Sequence, residues 1–141
     1  AFLAYKTERY NIKGKDVVAG NCKYYLNDLS FKNFLYPGFA YGVGYLLENA
    51  VYLELRRLGY IVYTGSFRDK EVDFVAMKDD RVIYLQATYM LETAQTMERE
   101  YAPLLTIGDN YEKYVVSMDE VQFPSNEGVR HIQAWNLKEI L

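Results

Sequence analysis

The period of apolar and polar positions changes along this chain, and the changes divide it into elements. Over residues 41–58 the apolar side chains recur at helical spacing: Val43, Leu47, Ala50, Val51 and Leu58 fall within about 60° of one direction on an ideal helix. Gly59 follows as a C-terminal stop. The period then drops to two. Residues 60–64, 71–77 and 81–88 read as strands separated by Gly65-Ser66 and Asp79-Asp80. A second helix is predicted over 93–105, starting near Glu92 or Thr93, with Met97, Tyr101, Leu104 and Leu105 on one side. Strands over 114–117 and 131–135 and a short helix over 137–141 complete the chain. Upstream, alternation up to Lys13-Gly14 suggests a strand and a turn, and Tyr24, Tyr25 and Leu26 a short strand. Asn27-Asp28 caps a helical turn carrying Phe31, Phe34 and Leu35, which Pro37 and Gly38 end. The central order of helix, three strands, helix and strand predicts an α/β domain with a mixed sheet flanked by helices.

Turn geometry places the second and third of these strands against each other. With Asp79 and Asp80 as a two-residue hairpin loop, Lys78 pairs with Arg81, Asp73 faces Gln86 and Glu71 faces Thr88. Side chains alternate, so Glu71, Asp73, Gln86 and Thr88 project from one face. Val72, Phe74, Ala76, Ile83, Leu85 and Ala87 make the other face apolar, and the core is expected there. A polar face on a hairpin is ordinarily its solvated side. Glu48 changes that expectation: about 100° from the centre of the first helix's apolar stripe, it can lean over the sheet. Glu54, nearer the centre, is its geometric rival.

Composition narrows the class. The 141 residues, half of them hydrophobic, suffice for one domain spanning 1–141 that folds without disulfides. Fifteen tyrosines are spread from Tyr5 to Tyr114 without a repeat, as core and half-buried strand residues would be. Cys22 is the single cysteine and His131 the single histidine, too few for a structural zinc site. Neither a membrane-spanning stretch nor a signal peptide is evident, so a soluble, cytoplasmic protein is expected. A formal charge of −3 and a pI near 5.2 argue against holding duplex nucleic acid by bulk electrostatics. The chain begins at Ala1 on an apolar run, as a piece of a longer protein would.

Glu48, Asp73 and Gln86, in this order of elements, resemble the PD-(D/E)xK restriction-endonuclease-like superfamily, whose core is helix, three strands, helix and strand. Carried over residue by residue, Glu48 matches the helix acid, Asp73 the strand aspartate and Gln86 the first position of the third motif; Thr88 stands where that motif has lysine. A closer resemblance runs through nearly the whole chain. The strings RYNIKGK, KYYLNDLSFKN, LLENAVYLELRRLGY, KEVDFVA, IYLQATY, TMEREYAPLLTIGDNYEKYVVSMD and HIQAW are similar to the C-terminal domain of unknown function of prokaryotic AAA-type ATPases. This resemblance implies a lead-in over 1–36 and a nuclease-like core over 37–141, with ATP bound only in a separate N-terminal domain. No G-x-x-x-x-G-K-[ST] phosphate loop occurs here, and Gly14-Lys15 is only a turn. The partners implied are the ATPase domain of the same polypeptide and either DNA or a protein.

Phosphodiester hydrolysis on such a scaffold needs a hard cation on carboxylate oxygens, an activated water, and positive charge facing the transition state. Glu48 and Asp73 could hold Mg²⁺ and Gln86 could add a carbonyl oxygen, whereas Thr88 supplies no cation. Losing one preorganised group of this kind costs about 10²–10³ in rate. Lys70 or Arg68 could serve as a migrated replacement, although alternation turns Lys70 away from Glu71 unless a bulge intervenes. The expectation is therefore a binding or regulatory module on a nuclease-like scaffold, with a Mg²⁺-dependent nuclease using Glu48, Asp73 and Gln86 as the alternative. The remaining polar residues have simpler readings. His131 reads as structural, with no Ser or Cys partner near it in sequence, and Cys22 as a small hydrophobe. Glu98, Arg99 and Glu100 read as a solvated helix face, and Arg56-Arg57 as complements to the first helix's dipole.

Overall fold

In the computed structural model, which describes residues 3–35, 37–38 and 42–141, the central strands are apolar on both sides, so helices cover both faces of the sheet. The strands are β1 (Ala4–Asn11), β2 (Asp16–Leu26), β3 (Ile61–Phe67), β4 (Lys70–Lys78), β5 (Arg81–Ala87), β6 (Glu112–Ser117) and β7 (Val129–Gln133). They form one mixed sheet in the order β2-β1-β3-β4-β5-β6-β7. β1 and β3, β5 and β6, and β6 and β7 run parallel, and the remaining neighbours are antiparallel. The helices are α1 (Ser30–Leu35), α2 (Val43–Arg57) and α3 (Ala94–Leu105), followed by a terminal 3-10 segment at Ala134–Glu139.

One core lies between α2 and the sheet. Leu47, Val51, Tyr52 and Leu55 pack there on Val62, Phe74, Ala76, Ile83 and Leu85, with Leu137 of the 3-10 segment closing one end. On the opposite face Tyr101 and Leu104 of α3 pack on Val72, Val75, Tyr84 and Val115. Fully burying one such aliphatic or aromatic side chain is worth about 1.5–3 kcal/mol. Tyrosines carry much of the first core: Tyr25 stacks on Tyr52 with ring centres 4.2 Å apart and lies 5.7 Å from Phe74.

Several boundaries follow their local signals. Gly59 at φ 89° ends α2, a conformation that costs glycine little. Thr93 caps α3, accepting from the Thr96 amide at 3.0 Å, and Asp28 accepts from the Ser30 amide at 2.8 Å at the start of α1. Tyr41, where the first helical pattern begins, lies outside the described residues. Phe31 and Phe34 of the α1 turn are both exposed, Phe34 at 81%, so neither is such a core anchor.

Other expectations need correction. Gly65-Ser66 is no turn; both lie inside β3, and the chain reverses after Phe67, where Arg68 has φ 57°. A Cβ on Gly65 would sit 2.8 Å from Val75 Cγ2 and 3.0 Å from both Ile12 Cδ1 and Val72 Cβ, so the glycine is there for close packing. The core-facing stripe of α2 is rotated relative to expectation: Val43 and Ala50 are exposed, while Tyr52 and Leu55 are buried. That rotation brings Glu48 towards the sheet. Trp135 belongs to the 3-10 segment rather than to β7. Residues 1–36, expected as a lead-in, supply two strands, and β2 runs from Asp16 rather than from Tyr24 alone. Asp16 to Asn21 show no clean alternation, because β2 is an edge strand largely open to solvent.

Candidate functional site

The polar site is built by a bulge. β3 and β4 pair as Tyr63 with Val75 and Gly65 with Val72, so Asp73 and Phe74 together oppose the single residue Thr64. The extra residue shifts the alternation. Val72 turns to the α3 side, while Glu71 and Asp73 face the α2 side, the same side as Phe74. The polar patch therefore shares a face with a core instead of lying opposite it. Beyond Phe74–Leu85 the β4–β5 ladder stops and side chains take over its hydrogen bonds. The Asp73 amide donates to Gln86 Oε1 at 3.2 Å, and the Ala87 amide donates to Asp73 Oδ2 at 2.9 Å.

Glu48 and Asp73 meet through a residue that sequence reasoning missed, Lys23 on β2. Its ammonium donates to Glu48 Oε1 at 2.9 Å and to Asp73 Oδ1 at 3.4 Å, and pairs with Glu71 Oε1 at 2.9 Å. Lys23 and Tyr25 are two apart on the strand and share a face, and the Tyr25 hydroxyl donates to the same Glu48 oxygen at 2.7 Å. Arg9 of β1 closes the far side of Glu71, Nη2 to Oε2 at 2.9 Å. Asn49 fixes this end of β2 to α2: its Oδ1 accepts from the Leu26 amide at 2.8 Å and its Nδ2 donates to the Leu26 carbonyl at 3.0 Å. The one signal for Lys23 in the sequence is its two-residue spacing from Tyr25.

Electrostatics follow from this packing. Burial pushes the Asp73 carboxyl up to about 7; the Glu48 charge adds to the rise, and Lys23 with the Ala87 amide opposes it. Burial alone would lower the Lys23 ammonium, but the charges of Asp73 and Glu48 and hydrogen bonds to Glu48 and Glu71 raise it well above the usual lysine range. For Glu71 burial pushes upward and is outweighed by Lys23 and Arg9, which hold its carboxyl below the usual range. Burial and Glu48 raise the Tyr25 phenol.

The remaining predicted site residues are placed elsewhere. Gln86 faces α3, where its amide donates to Glu100 Oε2 at 3.3 Å, and it touches Asp73 only through the latter's backbone. Glu71 pairs with Ser66 of β3, and on its other side the β4–β5 ladder has already ended at Phe74–Leu85, so it has no ladder pair with Thr88. Thr88 lies buried one residue past β5, its amide donating to the Val116 carbonyl at 3.0 Å. Glu54 is bound by Arg57 on the helix surface at 2.5 and 2.8 Å. Lys70 lines a groove of about 710 Å³ against α3, beside Met97, Glu98 and Tyr101, on the face away from Glu71. Arg68 sits over the Phe67 ring. Glu100, expected on a solvated face, is buried and held by Arg99 at 2.7 Å.

A Mg²⁺ ion on Glu48, Asp73 and Gln86 does not suit this arrangement. The Gln86 carbonyl oxygen is turned to the Asp73 amide, and the Glu48 and Asp73 oxygens converge on the Lys23 ammonium. Among the described residues no group of three or more His, Cys, Asp or Glu side chains is arranged to hold a metal ion.

His131 has a serine partner after all, brought by the β6–β7 ladder. The Phe123 amide donates to Nδ1 at 3.1 Å, so Nε2 carries the proton and donates to Ser117 Oγ at 2.8 Å; that hydroxyl donates to Asp119 Oδ2 at 2.6 Å. A serine nucleophile needs the reverse polarity, with Nε2 accepting from the hydroxyl. All three residues are buried and stabilise the β6–β7 end. Burial lowers the His131 pKa, against the pull of Asp119. Cys22 is half-buried on the edge strand.

Among the described residues no helix is long and apolar enough to cross a membrane. No family model and no solved structure matches the chain. It is similar to an uncharacterized protein of Haemophilus influenzae, 36% identical over 117 residues, which is 83% of this chain and 28% of the relative. The chain thus spans little more than a quarter of the length of the curated relative it matches.

Proposed function

We propose that this chain is an accessory module of an AAA-family ATPase, a binding or regulatory unit on a restriction-endonuclease-like scaffold. The order α2, β3, β4, β5, α3, β6 supports the scaffold, with Glu48 on the helix and Asp73 on the second of the three strands. The observation that carries the functional reading is the Lys23 ammonium seated among Glu48, Glu71 and Asp73. Carboxylates bound to an internal cation form a closed ion-pair network, and Gln86 adds no oxygen to it. A net charge of −3 favours a protein partner over duplex nucleic acid, and the ATPase domain of the same polypeptide is the partner proposed.

Lys23 also favours a second reading. It places beside Asp73 the positive charge that Thr88 cannot provide, which is what a Mg²⁺-dependent nuclease with a migrated lysine would need. One assay decides between them. Incubated with single-stranded, double-stranded and branched DNA in Mg²⁺ or Mn²⁺, the wild type is expected to cleave no more than a Glu48→Ala/Asp73→Ala control. Cleavage by the wild type alone would establish the nuclease.

A further inference from the structure

We propose that His131 is a pH-operated latch: the neutral imidazole holds the strap 119–126 closed against β7, and protonation of the ring releases the middle of that strap. The latch lies on the α3 side of the sheet, opposite the Lys23 cluster, since His131 stands beside Val115 in the β6–β7 register and Val115 belongs to the core under α3. Residues 118–128, which join β6 to β7, form no helix or strand, so side-chain bonds fix their path. At one end Gln133 Nε2 donates to the carbonyls of Asp119 at 3.2 Å and Glu120 at 2.6 Å. At the other, Asn126 and Val129 exchange backbone bonds at 2.9 Å. The middle depends on His131. Its Nδ1 accepts from the Phe123 amide at 3.1 Å, its carbonyl accepts from Gln122 Nε2 at 3.3 Å, and the Phe123 ring stands edge-on to the imidazole with centres 5.1 Å apart.

An imidazolium has no acceptor. Nε2 already commits its proton to Ser117 Oγ, so an added proton goes to Nδ1 and sets two N–H groups against each other where the Phe123 amide now donates. The ring is 2% exposed, so solvent does not reach Nδ1 while the strap is closed. A buried charge and a buried amide without its acceptor both favour opening. Asp119, held behind the Ser117 hydroxyl, is the charged group that faces the ring; it steadies an imidazolium but cannot restore the Phe123 bond. Tyr101 of α3 brings a hydroxyl within the field of Asp119, Arg130 of β7 is engaged by Glu112 and Tyr114, and Glu120 is exposed. Opening has a structural consequence. Phe123, Pro124 and Ser125 wall two grooves, one of about 710 Å³ beside α3 and one of about 560 Å³ beside Tyr114 and Ile132, so lifting the middle of the strap joins them.

The test is NMR of the wild-type chain between pH 7.5 and 4.5, following the His131 ring nitrogens, the Phe123 amide and the hydrogen-exchange protection of residues 119–126. His131 is expected to titrate below the usual histidine range, and the Phe123 amide to shift with the same midpoint. Relative to intrinsic exchange, Gln122 and Phe123 should lose protection about tenfold while Val115 and Val116 keep theirs. Protonation of His131 with the Phe123 amide unmoved would overturn the latch. So would a loss of protection that follows another group's titration, or a His131 that stays neutral until the whole sheet unfolds. His131→Asn offers a carbonyl oxygen at the place of Nδ1 and no ring to titrate, so its strap should be equally protected at both ends of the pH range. A folded His131→Asn whose strap still opens at low pH would also overturn the proposal, and if that variant does not fold, the wild-type titration decides alone.

Discussion

Burial of Asp73 makes its ionised form a liability, since its carboxyl is pushed up to about 7 while an unfolded chain holds it near 3.8. The folded state therefore binds the Asp73 proton more readily than the unfolded state between these values. The stabilisation is fully present below about 3.8 and is lost as pH rises through about 7. Asp73→Asn keeps an acceptor for the Ala87 amide and relieves the repulsion from Glu48, though Lys23 loses one partner. Urea unfolding from pH 4 to 8 should show the wild type losing stability relative to Asp73→Asn as pH rises, with the variant no less stable at pH 8. Asp73→Ala should instead lose about 1–3 kcal/mol, because the Ala87 amide is left without its acceptor. A drop above about 2 kcal/mol in Asp73→Asn would mark the carboxylate as a structural acid.

At the scale of elements, β3 and β4 owe their bulge to mismatched demands on two faces. Gly65 lets Val72, Val75 and Ile12 close over it on the α3 side, while Asp73 is turned to Lys23 on the other. Gly65→Ala would insert a methyl 2.8 Å from Val75 Cγ2, and overpacking of this sort costs about 1–3 kcal/mol. Chemical unfolding of the variant checks the figure, and stability equal to wild type would show that the strands shift freely to admit the methyl. The local signals around the bulge mislead in a consistent way. Gly65-Ser66 carries turn chemistry, yet the glycine serves a close approach, and strict alternation from the Asp79-Asp80 turn holds only as far as Phe74–Leu85. A bulge adds one residue to one strand, and no side chain in β4 announces it.

For the whole molecule, the unequal cover of the sheet sets an order of opening. β4, β5 and β6 are buried on both faces, whereas β2 is an edge strand fixed near its end by Asn49. Native-state hydrogen exchange should therefore be slowest in β4 to β6 and fastest in the first half of β2, with Asn49→Ala accelerating exchange at Leu26 and its neighbours. Uniform protection across all seven strands would contradict this layering. The same asymmetry bears on the site, because Lys23 and Tyr25 reach the carboxylates from the least protected strand.

The sequence by itself determined the order of α2, β3, β4, β5, α3 and β6, the hairpin at Asp79-Asp80 with Lys78 against Arg81, the stop at Gly59 and the start of α3 near Thr93. These depend on periodicity, turn chemistry and capping, all of which act over a few residues. Glu48 and Asp73 were legible as candidates from a helix phase and a strand position, but strict alternation put Asp73 on the face away from the core, and only the bulge brings it to the side of α2. Tertiary structure alone decided the rest. Lys23 is separated by 25 residues from Glu48 and by 50 from Asp73, and only the sheet order β2-β1-β3-β4 with Asn49 holding β2 to α2 brings them together. Asp73 was assigned to the face of Gln86, although a one-residue bulge in β4 turns it to the α2 side, and Ser117 met His131 because the parallel β6–β7 register sets His131 beside Val115, two residues before Ser117 on the same face. Local rules set which side chains lie along an element, whereas burial of charge and packing across the sheet set which of them meet.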